Sequence, residues 1–554
     1  MTRVVGVTAG TVSIIAVLGA GCANSDADAG FGGGRDGGDA AVDSNDELHL
    51  ADGPNGGSTP VEGDPTTCAE ASEHKTYIGC DYWPTVVANN VWSIFDFAVV
   101  VANGQSVDAV VTVTGPSNTN QSVVVPAGQL TKIYLPWVAS LKGPDTDACG
   151  KAESLPGSVQ ATGGAYHLVS SLPVTVYQFN ALEYRGAGGP RGKSWAACPG
   201  NFACPSSFSP IGCYSFSNDA SLLIPSTAMT GNYRVTGEHG WSAETLGAYF
   251  AVTAVQDDTS VTVHVSSTGQ ILAGGVIPAT GPNGNVTFTM NAGDVAELVG
   301  GADDDSDLSG SLVQATHPVQ VISGVPCIQQ PIGSEACDHI EQVVFPAETL
   351  GKDYVVTVPT GPQGNIVGHI VRVYGNVDGT ELTYDPERPS GCPTTIDAGQ
   401  VVDCGMVTND FEVKGSHAFA VGSFMLGGVL LDPNADPGRQ EGDPSQSLSV
   451  AVEQYRTKYI FLAPDDYDIS YVDIIASTDI DITLDDQYVT IPFTRIGTTG
   501  YLIARVLLQP GTNGSHVITS NLPIGVQVMG YGAYTSYQYP AGLNLTRIAP
   551  PPTP

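Results

Sequence analysis

Positive charge is scarce in this chain. Only 20 lysines and arginines stand against 56 aspartates and glutamates, for a net charge of −36 over 554 residues. A surface of that sign repels phosphate backbones and anionic membranes, so nucleic-acid binding is excluded as a function class. Charged residues make up just 14% of the chain, too little Lys and Glu for a largely helical protein. No stretch beyond the N-terminus is long and apolar enough for a transmembrane helix. Catalytic signatures are missing as well: there is no HExxH, no GxSxG on a strand-to-helix turn, no Walker loop and no dinucleotide fingerprint. The cysteines form no CxxC pairs and the ten histidines are scattered, which removes a zinc reading. These absences predict a non-enzyme with no cofactor.

What the chain does contain is glycine (67), proline (38) and 42% hydrophobic residues. That mixture suits many short strands joined by tight turns, and the length exceeds what one core can serve. Met1 to Arg3 is a minimal basic start, Val4 to Leu18 is apolar but too short to span a bilayer, and small residues precede Cys22. This is a lipobox-like pattern. It predicts a signal peptide over 1–21 and a lipidated Cys22 that attaches the protein to the cell envelope, at the outer membrane or cell surface, with ordinary secretion as the alternative. Residues 22–67, rich in Gly and Asp, read as an acidic flexible linker. Within it Asp36, Asp39, Asp43 and Asp46 lack EF-hand spacing.

Ten further cysteines remain, an even number in a chain with an export signal, and disulfides are the simplest account. Close spacing suggests Cys68–Cys80, Cys327–Cys337 and Cys392–Cys404. The pairing among Cys149, Cys198, Cys204 and Cys213 is left open.

The body repeats. YHLVSSLPVTVYQF (166–179), SLVQATHPVQVISG (311–324), FEVKGSHAFAVGSF (411–424) and SHVITSNLPIGVQVMG (515–530) each read as a strand, a short turn at Pro173, Pro318, Ala418 or Pro523, and a second strand. Upstream of each lies a glycine turn, at Gly128, Gly293, Gly399 and Gly511. Further upstream, FAVVVANGQSVDAVVTV, FAVTAVQDDTSVTVHV, HIVRVYGNVDGTELTY and YVDIIASTDIDITL alternate apolar and polar residues around Asn or Asp, a hairpin signal. Opening strands precede three of them: NYRVTG (232–237), KDYVVTVP (352–359) and TKYIFLAP (457–464). The expected fold is all-β: four tandem antiparallel β-sandwich repeats of about seven strands, over 68–200, 213–328, 338–430 and 445–546, before a Pro-rich tail at 547–554. A propeller-like closure of the repeats is the alternative.

The phrases LGKDYVVTVP, HIVRVYGNVDGTELTY, GSHAFAVGSFMLGG and GDPSQSLSVAVEQYRTKYIFLAP resemble the N-terminal domain type named after IgG Fc-binding protein, which also occurs in bacterial surface lipoproteins. The resemblance covers about residues 210–545 and implies a surface or mucus-type binding module. Fc binding itself is not carried over to this chain.

Individual residues with chemical capacity are few. His239, between Glu238 and Trp241, reads as a loop histidine near an aromatic, with a base or sugar-stacking role as the sharper alternative. Asp303, Asp304, Asp305 and Asp307, and also Asp465 and Asp466, read as solvated loop acids, with calcium binding or paired carboxylates as alternatives. Tyr531, Tyr534, Tyr537 and Tyr539 are expected to pack on the last repeat rather than to bind glycan. The function expected is a non-catalytic binding or adhesion module for an extracellular protein or glycan. An envelope spacer is the alternative, and a secreted hydrolase the weakest reading.

Overall fold

The computed structural model describes residues 63–147, 151–202, 212–436, 439–478, 480–509 and 514–553. Cys22, the 1–21 leader, most of the acidic linker, Cys149, Cys204 and Gly511 lie outside the described residues.

Runs rich in Val, Thr and aromatic residues become thirty-one strands among the described residues, with three short α-helices. Branched and aromatic side chains favour a pleated, packed surface, and the intervening Gly and Pro end each run. The strands are grouped in four successive units that share one pairing scheme. Each unit has a long strand: His167–Phe179, Leu312–Ile328 and Ser515–Gly532 run unbroken, while the third is divided into Phe411–Gly415 and Phe419–Met425. Its first half pairs with the opening strand, Gly79–Tyr82, Thr230–Arg234, Asp353–Val356 or Arg456–Leu462. Its second half pairs with a closing strand, Ala220–Leu222, Asp338–Val343, Gln446–Leu448 or Thr535–Pro540. In the third unit the halves stand as two separate four-stranded sheets, the arrangement of a sandwich.

Two sequence expectations change here. The turn expected at Pro173, Pro318 and Pro523 is a bend inside one continuous strand. Proline donates no N–H, so it fits the point where the strand leaves one sheet for the other and has no ladder partner to serve. The expected hairpins are not paired hairpins. Phe97–Ala102 bonds to Leu130–Leu135 and to the second half of the long strand, whereas Ala109–Gly115 bonds to Thr119–Val125 and the first half. The two arms therefore lie in opposite sheets, and the Asn-Gly bend at 103–104 carries the chain across the core. Period-two alternation marks which face of an arm is apolar but is silent on its neighbour.

Burial separates the two sheets of a unit. Phe97–Ala102, Tyr249–Ala254 and His369–Gly375 are buried at every position, while Thr259–His264 alternates buried and half-exposed residues. The fully buried arms belong to the inner sheets. Their closing strands lie against one another in cyclic order, first to second to third to fourth and back to first. Sandwich units and ring closure, set against each other by the sequence, thus describe one assembly.

At the centre of the ring the buried Asp219 carboxylate accepts the backbone N–H of Ala220 (2.9 Å), Glu341 (3.0 Å) and Gln446 (3.0 Å), contributed by the closing strands of three units. Contacts between the first and fourth units complete the circle. Tyr77 N donates to Leu543 O at 3.2 Å, and the Tyr177 hydroxyl donates to Ile460 O and Ala541 O at 2.8 and 3.0 Å.

One side-chain device recurs in all four units. Tyr82, Tyr233, Tyr354 and Tyr459 end or occupy the opening strands, are buried, and donate their hydroxyls to the carbonyls of Val174, Val319, Phe419 and Ile524. Each acceptor directly follows the position of Pro173, Pro318, Ala418 or Pro523. In the second and fourth units the hydroxyl sits between two residues paired in register, accepting Thr230 N at 3.3 Å or Arg456 N at 2.9 Å while it donates to the carbonyl at the bend.

Disulfides join Cys68 to Cys80, Cys198 to Cys213, Cys327 to Cys337 and Cys392 to Cys404. No helix among the described residues is long and apolar enough to cross a membrane.

Candidate functional site

Where the second and third units meet, the loops leave a cleft of about 720 Å³. One wall comes from the end of the Thr259–His264 strand and the following loop, with Ser267 and Thr268, and from Asn283 and Asn285. The opposite wall is the glycine turn of the third unit, Ala398 to Val401, with Asp403. Asp304 and Asp305 stand exposed at the rim. The lining is dominated by hydroxyl, amide and charged groups, which suits a hydrophilic ligand.

Arg372, on the His369–Gly375 strand, is a buried anchor of this junction. Its guanidinium bonds to the Asp307 carboxylate and the Gly237 carbonyl, and lies 3.3 Å from Glu238 Oε1. Burial alone would lower its pKa, but Asp307 and Glu238 more than offset this and hold it well above the ordinary arginine value. Glu238 Oε2 also accepts the Gln330 side-chain amide at 2.8 Å. Tyr374 donates to the Gly237 carbonyl at 2.7 Å and carries the Arg372 guanidinium over its ring. Nε of Arg372 has no hydrogen-bond partner among the described residues, but its two terminal nitrogens are paired, and a buried charged cluster of this kind fixes geometry more than it adds stability.

The second arginine, Arg234, is arranged differently. It closes the Thr230–Arg234 opening strand and is 6% exposed. Nη1 donates to Gly310 O at 3.0 Å, while Nε and Nη2 have no hydrogen-bond partner among the described residues. Burial lowers its pKa to about 10, with only the field of Asp378 acting in the other direction.

The acidic run singled out in the sequence is dispersed by the fold. Asp307 turns inward to Arg372, and its Oδ1 accepts Ser309 N at 2.8 Å. Asp304 accepts the backbone N–H and the hydroxyl of Ser242 at 2.7 and 2.8 Å, which hold its carboxyl below the usual range. Asp303 and Asp305 are exposed. Among the described residues, no group of three or more His, Cys, Asp and Glu side chains could hold a metal ion.

His239 lines the cleft, its Nδ1 2.5 Å from Gly240 O, whereas Trp241 is buried beneath. Asp465 is exposed and Asp466 accepts Tyr184 N at 2.9 Å in the contact between fourth and first units, so these two do not work as a pair. Tyr531, Tyr537 and Tyr539 are core residues, and Tyr531 donates to Thr360 O of the third unit at 2.6 Å. The sequence reading missed Arg234, Arg372, His264 and Gln400 as cleft residues. One signal was available for Arg234: a basic residue interrupts an apolar repeat position in a chain with few basic residues.

The family model described as IgGFc binding protein matches residues 219–530, which takes in the second and third units, the cleft and most of the fourth unit. The human IgGFc-binding protein is 26% identical over 336 residues, 60% of this chain. The chain spans only 6% of that relative's length. A solved tetra-tandem repeat from the extending region of a large adhesion protein aligns over 84% of this chain and 99% of its own, at 11% identity. Its TM-score of 0.09 carries no argument about the fold. The family match covers more than half of the sequence, and on that ground the chain belongs to the IgGFc binding protein family.

Proposed function

We propose that this protein is an exported, non-catalytic binding module that holds an extracellular protein or glycan in the cleft between its second and third units. The observation that carries the reading is the cleft itself. A rigid junction, pinned by Arg372, Glu238 and Asp307, presents an open hydrophilic concavity lined by loop side chains. Family membership supports it, because the human relative is by its name a binding protein. Lipidation at Cys22 would tether the ring to the envelope through the acidic linker at 22–67, making the protein a surface adhesion component.

The test is an array of glycans and extracellular glycoproteins probed with the full chain and with Ser267→Trp, which places an indole in the cleft from an exposed wall position. The wild type is expected to retain ligands that the variant loses at an unchanged melting temperature. Equal retention by both proteins would remove the cleft from the account. For the anchor, Cys22→Ser is expected to move the protein from the membrane fraction to the soluble fraction, and persistence in the membrane fraction would contradict lipidation.

A further inference from the structure

The repeat provides its own control for one residue. Directly after the tyrosine of each opening strand stand Trp83, Arg234, Val355 and Ile460. Three are apolar, buried and packed. Trp83 stacks on His167 at 4.1 Å and faces the glycine turn of the second unit, where a Cβ on Gly293 would lie 3.5 Å from the indole. Val355 borders a cavity of only about 30 Å³ between the third and fourth units. Ile460 packs against Gly104 of the first unit, leaving no room there for a Cβ. The second unit places a guanidinium in this slot, and Arg234 faces the glycine turn of the third unit, 3.3 Å from where a Cβ of Gly399 would sit. There the junction opens into the cleft.

A buried guanidinium ordinarily has a carboxylate. Among the described residues the other two buried arginines do: Arg372 bonds to Asp307, and Arg456 bonds to Asp64 at 2.5 Å. Arg234 has one neutral carbonyl; it borders an open cleft, and its unpaired Nε and Nη2 are closed to solvent, so a ligand group reaches them by displacing the side chains around them. The acids around Arg234 are otherwise engaged or exposed: Asp378, whose field reaches it, accepts Ala398 N at 3.0 Å, Asp307 serves Arg372, Asp304 serves Ser242, and Asp305 and Asp403 are exposed.

We propose that Arg234 is the anchor of a carboxylate subsite at the floor of the cleft, and that the ligand is a saccharide bearing a single acidic sugar on an otherwise neutral chain. The inference rests on the cleft being the binding site. The missing anionic partner fixes the charge of the ligand group, because a planar guanidinium pairs best with a carboxylate. The Ser267, Thr268, Asn283, Asn285 and Gln400 side chains, donors and acceptors without an aromatic platform, match hydroxyls. The exposed rim acids and the net charge of −36 repel polyanions, which limits the ligand to one acidic group.

The experiment is calorimetric titration of the full chain with a glucuronate-terminated neutral oligosaccharide and its glucose-terminated counterpart. The acidic sugar is expected to bind about tenfold tighter or better. Arg234→Gln is expected to bring the ratio of the two affinities to about one while the melting temperature holds or rises, because an unpaired buried charge has been removed. Ser267→Trp is expected to abolish binding of both sugars.

Equal affinity for the two sugars in the wild type, with both lost in Ser267→Trp, would overturn the subsite and leave the cleft standing. Undiminished binding in Ser267→Trp would overturn the cleft and the subsite together. Binding of neither sugar, or binding only of peptides with a free C-terminal carboxylate, would overturn the saccharide assignment. If Arg234→Gln does not fold, Arg234→Lys gives the same test, since a point charge without the planar fork is expected to retain the preference at reduced size. A ratio unchanged in Arg234→Lys would contradict the proposal.

Discussion

Tyr82, Tyr233, Tyr354 and Tyr459 show how much one repeated side chain decides. Each hydroxyl donates to a carbonyl at the bend of the long strand. Tyr354→Phe should therefore strand the Phe419 carbonyl and destabilise the protein by about 1–3 kcal/mol in urea unfolding. Asp219→Ala should cost more, on the order of 3 kcal/mol or above, because it removes the shared acceptor of N–H groups from two other units. If Asp219→Ala unfolds at the wild-type urea midpoint, the carboxylate is not what holds the closing strands together. Three of the tyrosines were legible in the sequence, as members of the opening phrases NYRVTG, KDYVVTVP and TKYIFLAP, whereas the opening strand that carries Tyr82 was not recognised. Asp219 was not. Its role depends on the ring bringing Glu341 and Gln446 to it from 122 and 227 residues away, and no local pattern encodes such a meeting.

At the scale of elements, the order of strands was readable and their partners were not. Alternation located the arms, and glycine located the turns, because both are local requirements of the backbone. Which arm joins which sheet is a matter of closing a sandwich, so Phe97–Ala102 and Ala109–Gly115 read as a hairpin although they face each other across a core. Full burial of Phe97–Ala102 was the one hint, for a run with no polar alternation is covered on both faces.

The junction between the second and third units tests a further element-level claim. Arg372→Ala leaves Glu238 and Asp307 without their cation and is expected to cost about 3–5 kcal/mol. Adding Glu238→Gln and Asp307→Asn to that variant should recover a substantial part of the loss, measured by the same urea transition. No recovery would show that the cluster acts through packing of the arginine stem instead of through charge.

The whole molecule carries an unusual store of buried acid. Burial pushes Glu183, Asp353 and Asp473 up to about 7, with Asp96 adding to the effect on Glu183 and Glu412 to that on Asp353. Burial also holds Asp219, Glu297, Asp338 and Asp443 well above the carboxylate range. In the unfolded chain all of them release protons near pH ~4. Between about pH 4 and 7 the folded protein therefore binds more protons than the unfolded one, and its stability falls as the pH rises through that window. Asp81 and Asp485 act in the opposite sense: burial raises each, but the hydrogen bonds from His167, Ser226 and Trp83 to Asp81, those from His516 and Val517 to Asp485, and the charge of each histidine together outweigh it and keep them low, and their contribution is lost only in stronger acid. The melting temperature is thus expected to be several degrees higher at pH 5 than at pH 8. An equal or higher value at pH 8 would mean that these carboxyls are hydrated in solution.

The central claim is that the ring is a scaffold and the cleft its binding face. Amide hydrogen exchange of the full chain, with and without a ligand captured on the array, tests it most directly. Added protection is expected in residues 264–285, 303–310 and 398–403, the segments that wall the cleft, with the first and fourth units unchanged. Protection confined to those other units, with the cleft exchanging as in the free protein, would contradict it.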